Sequence, residues 1–185
     1  MSLRDVTPTG IERLFGHDEI IVSKTDPRGV ITYANDVFVR VSGYSEAELV
    51  GAPHSIVRHP DMPRCAFKLL WDTIASGREV FAYVLNLARD GDHYWVLAHV
   101  TPTRSADGAL VGYHSNRRRP SRAAVAKVAP LYRDLLAVER RHASRVASVA
   151  AGSAALAETL RGLRVTYDEF VWPLTRDSLP AEAAP

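Results

Sequence analysis

Three strand-like runs separated by two tight glycine turns constrain this chain more than any other feature. Residues 79–88 form the first run and Arg89-Asp90-Gly91-Asp92 a turn. Residues 93–103 form the second run, alternating Tyr94, Val96, Ala98 and Val100 against Trp95, Leu97 and His99. Ala106-Asp107-Gly108 turns the chain again into residues 110–116. Connections this short join antiparallel neighbours, because a parallel pair needs a long crossover. A hairpin pattern lies upstream: residues 19–24 (EIIVSK), the turn Thr25-Asp26-Pro27-Arg28-Gly29, and residues 30–33. Helical signals fill the interval. Asn35 caps a run with Val37, Phe38 and Val41 at helical spacing, closed by Gly43, and Ser45 and Glu48 have capping-box spacing. Phe67, Leu70, Trp71 and Ile74 share one face of a helix over 66–75. The expectation is an α+β domain over 19–119, a five-stranded antiparallel sheet with short helices on one face, followed by a C-terminal α-helical segment.

The flanks read differently. Within residues 1–18, Ile11, Leu14 and Phe15 stand at helical spacing before Gly16, which predicts a short N-terminal capping helix. Arg117-Arg118-Arg119-Pro120-Ser121-Arg122 reads as a solvated basic joint, and Ser121 caps an alanine-rich helical segment over 120–174. One heptad row there holds Val128, Leu135, His142, Val149, Leu156 and Leu163; the other holds Tyr132, Glu139, Val146, Ser153 and Leu160. Glu139, His142 and Ser153 weaken the seam and Gly152 invites a break, so one long helix and a hairpin bent near Gly152 both fit. Tyr167, Phe170, Val171 and Trp172 are expected to dock onto something, and residues 175–185 read as a disordered tail.

A composition of 46% hydrophobic and 24% charged residues is that of a globular protein. No apolar run is long enough for a membrane-spanning helix and no export signal opens the chain, so the expectation is a cytoplasmic protein without membrane insertion. The single cysteine, Cys65, reads as a small, partly buried side chain, with a reactive thiol as the alternative. A net charge of +2, without aromatic interleaving around Arg117–Arg119, argues against a nucleic-acid partner.

One loop carries most of the chemistry. Residues 51–67 crowd His54, Arg58, His59, Asp61, Arg64 and three prolines between regular segments, the composition of a shaped binding loop. A purely structural reading is also available: Asp61 caps the helix that begins near Pro63, and Arg58 pairs with a surface carboxylate.

Thr32-Tyr33-Ala34-Asn35-Asp36-Val37-Phe38, Val41-Ser42-Gly43-Tyr44 and Leu49-Val50-Gly51 resemble the general PAS signature. His54, Val57-Arg58-His59-Pro60-Asp61-Met62-Pro63, Phe67, Trp71, Gly91-Asp92-His93-Tyr94-Trp95-Val96 and Gly112-Tyr113 resemble, more narrowly, the PAS domain of bacterial aerotaxis receptors. Members of that family bind FAD noncovalently and report its redox state. The resemblance spans about residues 19–122 and implies a PAS fold and a role in signal transduction. By it, Arg58, His59 and Asp61 fall on flavin-binding positions, Asn86 and Trp95 line or support the pocket, and His54 and Trp71 belong to the same site. The strand opposite departs from the family pattern at Phe81, Tyr83, Leu85 and Leu87: Tyr83 is large enough to fill part of a flavin slot, and leucines stand where the family carries basic residues.

The leading expectation is therefore a redox or oxygen sensor that signals through its C-terminal helices by association, as a homodimer or with another signalling protein. Two alternatives stand beside it. One is a cofactor-free PAS interaction module with its pocket filled by Tyr83. The other is a haem or small-ligand sensor using His54, His93, His99 or His114. No nucleophile–base pair, phosphate-cradling glycine loop or metal signature is present, so an enzyme is not expected.

Overall fold

The computed structural model describes residues 6–176. Strands β1 (Ile21–Thr25) and β2 (Ile31–Ala34) form the first hairpin. Helices α1 (Asp36–Ser42) and α2 (Glu46–Leu49), a 3-10 turn (His54–Val57) and α3 (Arg64–Ala75) follow. Strands β3 (Val80–Leu87), β4 (His93–Arg104) and β5 (Leu110–Arg118) complete an antiparallel five-stranded sheet in the order β2-β1-β5-β4-β3.

The local signals act as the sequence predicts. The Asn35 side chain accepts from the Phe38 N–H at 3.0 Å, and Gly43 closes α1 at φ 72°, a left-handed conformation natural to glycine. Ser45 and Glu48 form a complete capping box. Strand alternation divides the sheet residues. Val84, Asn86, Ala98, Val100, Tyr113, Ser115 and Arg117 face α3, whereas Phe81, Tyr83, Trp95 and His99 lie on the other face.

The flanks depart from expectation. Residues 6–20 contain no helix. The Thr9 N–H donates to the Gly91 carbonyl, Arg13 N–H to His93 carbonyl and His93 N–H to Ile11 carbonyl, so this segment runs extended beside the β3–β4 turn and the start of β4. Ile11 and Leu14 are exposed and only Phe15 is buried: the helical spacing had no apolar surface to pack against.

The C-terminal segment is three helices, α4 (Arg122–Arg140), α5 (Arg145–Leu163) and α6 (Tyr167–Arg176). The reversal falls at residues 141–144, where Ser144 caps α5, and not at Gly152. Gly152 is a packing position: a methyl group there would lie 2.6 Å from Glu139 Oε1 and 3.1 Å from Cys65 Cβ. The heptad residues Val128, Tyr132, Leu135, Leu156 and Leu160 are buried against the chain's own domain. Helix α4 crosses the outer sheet face, where the Tyr132 hydroxyl donates to the Tyr83 carbonyl at 2.7 Å and its ring stacks on Trp95. Helix α5 packs on α3 and α4, and α6 packs on β3 with Trp172 edge-on to Phe81 at 5.3 Å. The sheet is thus covered on both faces around β3 and β4, not on one. Residues 175 and 176 still belong to α6; the remainder of the expected tail lies outside the described residues.

Candidate functional site: a donor-rich cavity under α3

A cavity lies between the inner sheet face and α3. Phe67, Leu70, Trp71 and Ile74 project into it from successive turns of α3, and Val84, Ala98 and Val100 form the apolar floor. Thr25, Arg58, Asn86 and Arg117 supply polar groups. This is the usual make-up of a small-molecule site, mostly apolar with a few fixed polar atoms.

Four of those polar residues hold buried atoms without a protein partner: Thr25 Oγ1, Arg58 Nε, Asn86 Nδ2, and Arg117 Nε and Nη1. Buried donors are normally satisfied, and each unsatisfied one costs about 1–3 kcal/mol. They converge on one cavity, where a group or a water presenting hydrogen-bond acceptors would satisfy them.

Arg58 is placed from two directions. Its backbone bridges to Asn86 on the free edge of β3, and its guanidinium carbon stands 3.9 Å from the centroid of Phe67. Burial, then the Arg145 and Arg64 charges, lowers its pKa. Arg117, only 2% exposed, lies 4.3 Å above the Phe38 ring, and its Nη2 donates to Ser23 Oγ at 2.6 Å. It is the residue sequence reasoning missed. The run of arginines read as a solvated joint, yet β5 continues through Arg118 and its alternation turns Arg117 inward.

His54 lines the cavity, stacks on Phe38 at 5.9 Å and has Nε2 3.2 Å from Ser23 Oγ. Burial, reinforced by the Arg117 charge, lowers its pKa from 6.5 to about 3. The folded protein therefore resists protonation of His54, and the unfolded chain accepts a proton near pH 6.5. The stability this group contributes is complete above the unfolded pKa and is lost as pH falls towards 3, at about 1.4 kcal/mol per unit. His59 is shifted in the same direction by burial. Unfolding by urea should show a loss of about 2 kcal/mol between pH 7 and 5, with a flatter profile in His54→Gln. An unchanged profile in that variant would assign the loss to other groups.

Of the seven residues expected in the site, His54, Arg58, Trp71 and Asn86 line the cavity. The other three do not. His59 is buried beside the cavity loop, with Nδ1 accepting from the Asp61 N–H at 3.0 Å and its ring edge-on to His93. Asp61 is exposed and pairs with Arg140 of α4 at 2.8 Å, so it neither lines the pocket nor caps α3. Trp95 is on the outer face against Tyr132, because strand alternation opposes it to Asn86 and Val96. Tyr83, the proposed filler of the pocket, also points outward. Phe81, Tyr83, Leu85 and Leu87 occupy alternate positions on β3, on the face that α6 meets at Phe81 and α4 meets at Tyr83. The apolar departures from the family pattern thus serve the helical layer, not the cavity.

Helix α3 has no cap of its own, since Pro63 precedes it. Glu139 of α4 supplies one: its Oε1 accepts from the Cys65 N–H at 2.7 Å and its Oε2 from the Arg64 N–H at 2.9 Å. A buried carboxylate at a helix N-terminus joins charge-assisted hydrogen bonds to the helix dipole. The helix that roofs the cavity is therefore clamped directly to the C-terminal helices. Cys65 faces the same clamp, and burial together with Glu139 pushes its thiol up to about 12.

Comparison with known proteins agrees with this architecture. A family model described as PAS fold matches residues 31–116. The aerotaxis receptor of Escherichia coli is 46% identical over 118 residues, 64% of this chain and 23% of the receptor. The nitrogen fixation regulatory protein of Klebsiella pneumoniae is 33% identical over 99 residues, 54% of this chain and 20% of that protein. The light-state structure of the blue-light photoreceptor Aureochrome1 LOV superposes with a TM-score of 0.55 at 24% identity, covering 60% of this chain and 88% of that one. The match spans under a quarter of the length of those two curated relatives. Residues 31–116 thus match the PAS fold, the five-stranded antiparallel sheet with its helices has that architecture, and the chain is similar in sequence to the aerotaxis receptor.

Proposed function

We propose that this PAS domain is a sensory module that holds a flavin, FAD by its similarity to the aerotaxis receptor, noncovalently under α3. When bound, the flavin supplies reversible electron transfer with a change of charge on its ring. The observation that carries this reading is the set of unpartnered buried donors on Thr25, Arg58, Asn86 and Arg117 around an apolar slot. An isoalloxazine is flat and apolar on its faces and rich in acceptors along one edge, so Trp71 and Phe67 suit its faces and the four polar residues its edge. Cys65, the single thiol, lies against Glu139 and Gly152 and is absent from the cavity lining, which favours noncovalent binding.

The same geometry supplies a route for output. A change in how Arg58 and the loop before α3 engage the ligand acts on α3, and Glu139 and Arg140 couple α3 and Asp61 to α4. Output then passes by association, in a homodimer or with a signalling protein, through helix surfaces where Val146, Leu163 and Trp172 are exposed. A cytoplasmic, non-catalytic sensor fits this reading; among the described residues no helix is long and apolar enough to cross a membrane.

The absorption spectrum of the purified chain, before and after incubation with FAD or FMN, tests the proposal. Bands near about 375 and 450 nm are expected. A Soret band, or a colourless protein that takes up neither flavin, overturns it. Asn86→Leu should weaken flavin binding about tenfold, equivalent to about 1.4 kcal/mol for the lost hydrogen bond, with an unchanged far-UV spectrum. Unaltered affinity would remove Asn86 from the site.

A further inference from the structure

Two features of the helical layer lie outside the cavity, and their chemistry is complementary. The first is the corner where α4 turns into α5. Val146 stands there 82% exposed, beside the exposed Ala143, Ala147 and Ala150. An exposed valine is ordinary by itself; its surroundings are not. Arg141, His142 and Arg145 flank it, all exposed, and neither arginine has a carboxylate partner among the described residues, because Arg140 takes Asp61. Arg64, at the start of α3, adds charge of the same sign nearby: with Arg145 it reinforces the effect of burial on Arg58. The corner is an aliphatic knob ringed by uncompensated cations.

The second feature is a groove between α6 and the start of β3, on the outer side of the sheet. Phe81, Trp172 and Pro173 are among its apolar walls, Glu79, Asp168 and Glu169 are its charged residues, and no lysine or arginine lines it. Its volume is about 450 Å³, in the size range of sites that take a discrete occupant. Trp172 meets Phe81 edge-on at 5.3 Å and is still 51% exposed, so half of its surface is open to a partner. Glu79 engages His99 and Glu169 caps α6 through Thr166, each by Oε2, which leaves Oε1 of both outside those bonds. Asp168 has no ion-pair partner among the described residues.

We infer that the α4–α5 corner of one copy docks into the α6–β3 groove of a second copy, with Val146 between Phe81, Trp172 and Pro173, and Arg141 and Arg145 facing Asp168 and Glu79. This rests on the association reading above and is independent of the flavin. A second copy is the occupant because one chain carries both halves, each with the shape and the sign of charge that the other lacks. An aliphatic anchor in an aromatic-walled pocket, rimmed by opposite charges, has the core-and-rim arrangement of specific interfaces. The charges select which surfaces meet and speed the encounter. Copies that exchange corners reciprocally close into a dimer, and successive one-way contacts build a row; both use the same contact. Docking would also bring carboxylates to Arg145, whose charge bears on Arg58 at the cavity.

The test is sedimentation equilibrium of the full chain, with folding of every variant checked by far-UV circular dichroism. The wild type should associate, and its dissociation constant should rise about tenfold or more on going to about 1 M salt, where the screening length falls to about 3 Å. Arg141→Glu with Arg145→Glu, and separately Glu79→Lys with Asp168→Lys, should each stay monomeric where the wild type associates, because like charges then meet. An equimolar mixture of these two variants should associate again, since every corner now finds a groove of opposite sign. Val146→Asp, at a position open to solvent, should weaken association about tenfold or more. A wild type that is monomeric at about 1 mM overturns the contact. Reversed variants that associate like the wild type, or that stay apart when mixed, overturn it too. Association that none of these changes affects leaves the association reading standing on another surface. Uptake of flavin, or its failure, bears on none of these outcomes.

Discussion

Replacing Glu139 by alanine is expected to destabilise the folded protein by about 4 kcal/mol, lowering the melting temperature by about 10 °C. Two effects add. The first N–H groups of α3, on Arg64 and Cys65, lose their acceptors inside the protein, and the helix dipole loses the carboxylate that faces it. The removed side chain also leaves a void beside Cys65 and Gly152. Gly152→Ala tests the same clamp from the other side: its methyl group would press on Glu139 Cγ at 2.8 Å and cost about 1–3 kcal/mol by overpacking. In the double variant the losses should fall well short of their sum, because alanine at 139 vacates the space that the new methyl enters. Melting of Glu139→Ala within a degree of the wild type would show that α3 does not depend on α4. A second readout is the Cys65 thiol, whose reaction with a disulfide reagent should accelerate when the clamp opens.

Ending the chain after Arg119 is expected to produce an aggregating species rather than a smaller, well-behaved one. The outer faces of β3 and β4 carry Phe81, Tyr83, Trp95 and Leu97, which α4 and α6 cover. Without that layer the contiguous apolar surface and the edge strand β3 are exposed together, a combination that promotes self-association. Sedimentation and far-UV circular dichroism should report large particles or loss of structure. A monodisperse, folded species with wild-type melting would mean that the helical layer is dispensable. Tyr132→Phe removes one hydroxyl from this interface, with its bonds to the Tyr83 carbonyl and the Tyr167 side chain. It should cost about 1–3 kcal/mol, since the Tyr83 carbonyl and the Tyr167 side chain both lose this partner while the ring packing on Trp95 remains.

The legible part of this molecule was its local chemistry. The two glycine turns, the Asn35 cap, the Gly43 stop and the Ser45–Glu48 box each act within a few residues, and each forms as read. The spacing of Phe67, Leu70, Trp71 and Ile74 correctly gave one face of α3, and that face roofs the cavity. Trp95 was misread for want of knowing which sheet face was the pocket; both faces are apolar here, so alternation alone does not distinguish them. Asp61 reads as a cap by position, but its carboxylate is drawn to Arg140, seventy-nine residues away in sequence. Glu139 looks like a defect in a heptad row and is instead the cap that α3 lacks.

The C-terminal segment shows the division most clearly. Its helical character follows from composition and the Ser121 cap, because propensity and capping are properties of the chain itself. Where it reverses, and what its apolar rows meet, depends on a sheet face that exists only after folding. Gly152 therefore serves contact with Cys65 instead of a bend, and Arg117, in a run that reads as solvated, becomes the buried cation of the cavity. The sequence alone determined the α+β class, since that rests on turns, caps and periodicity, and its motifs carried the resemblance to PAS domains that pointed to the loop over 51–67. Tertiary structure decided which polar groups converge and remain unpaired. Burial and partnership are relations between distant segments, and short-range spacing carries no record of them.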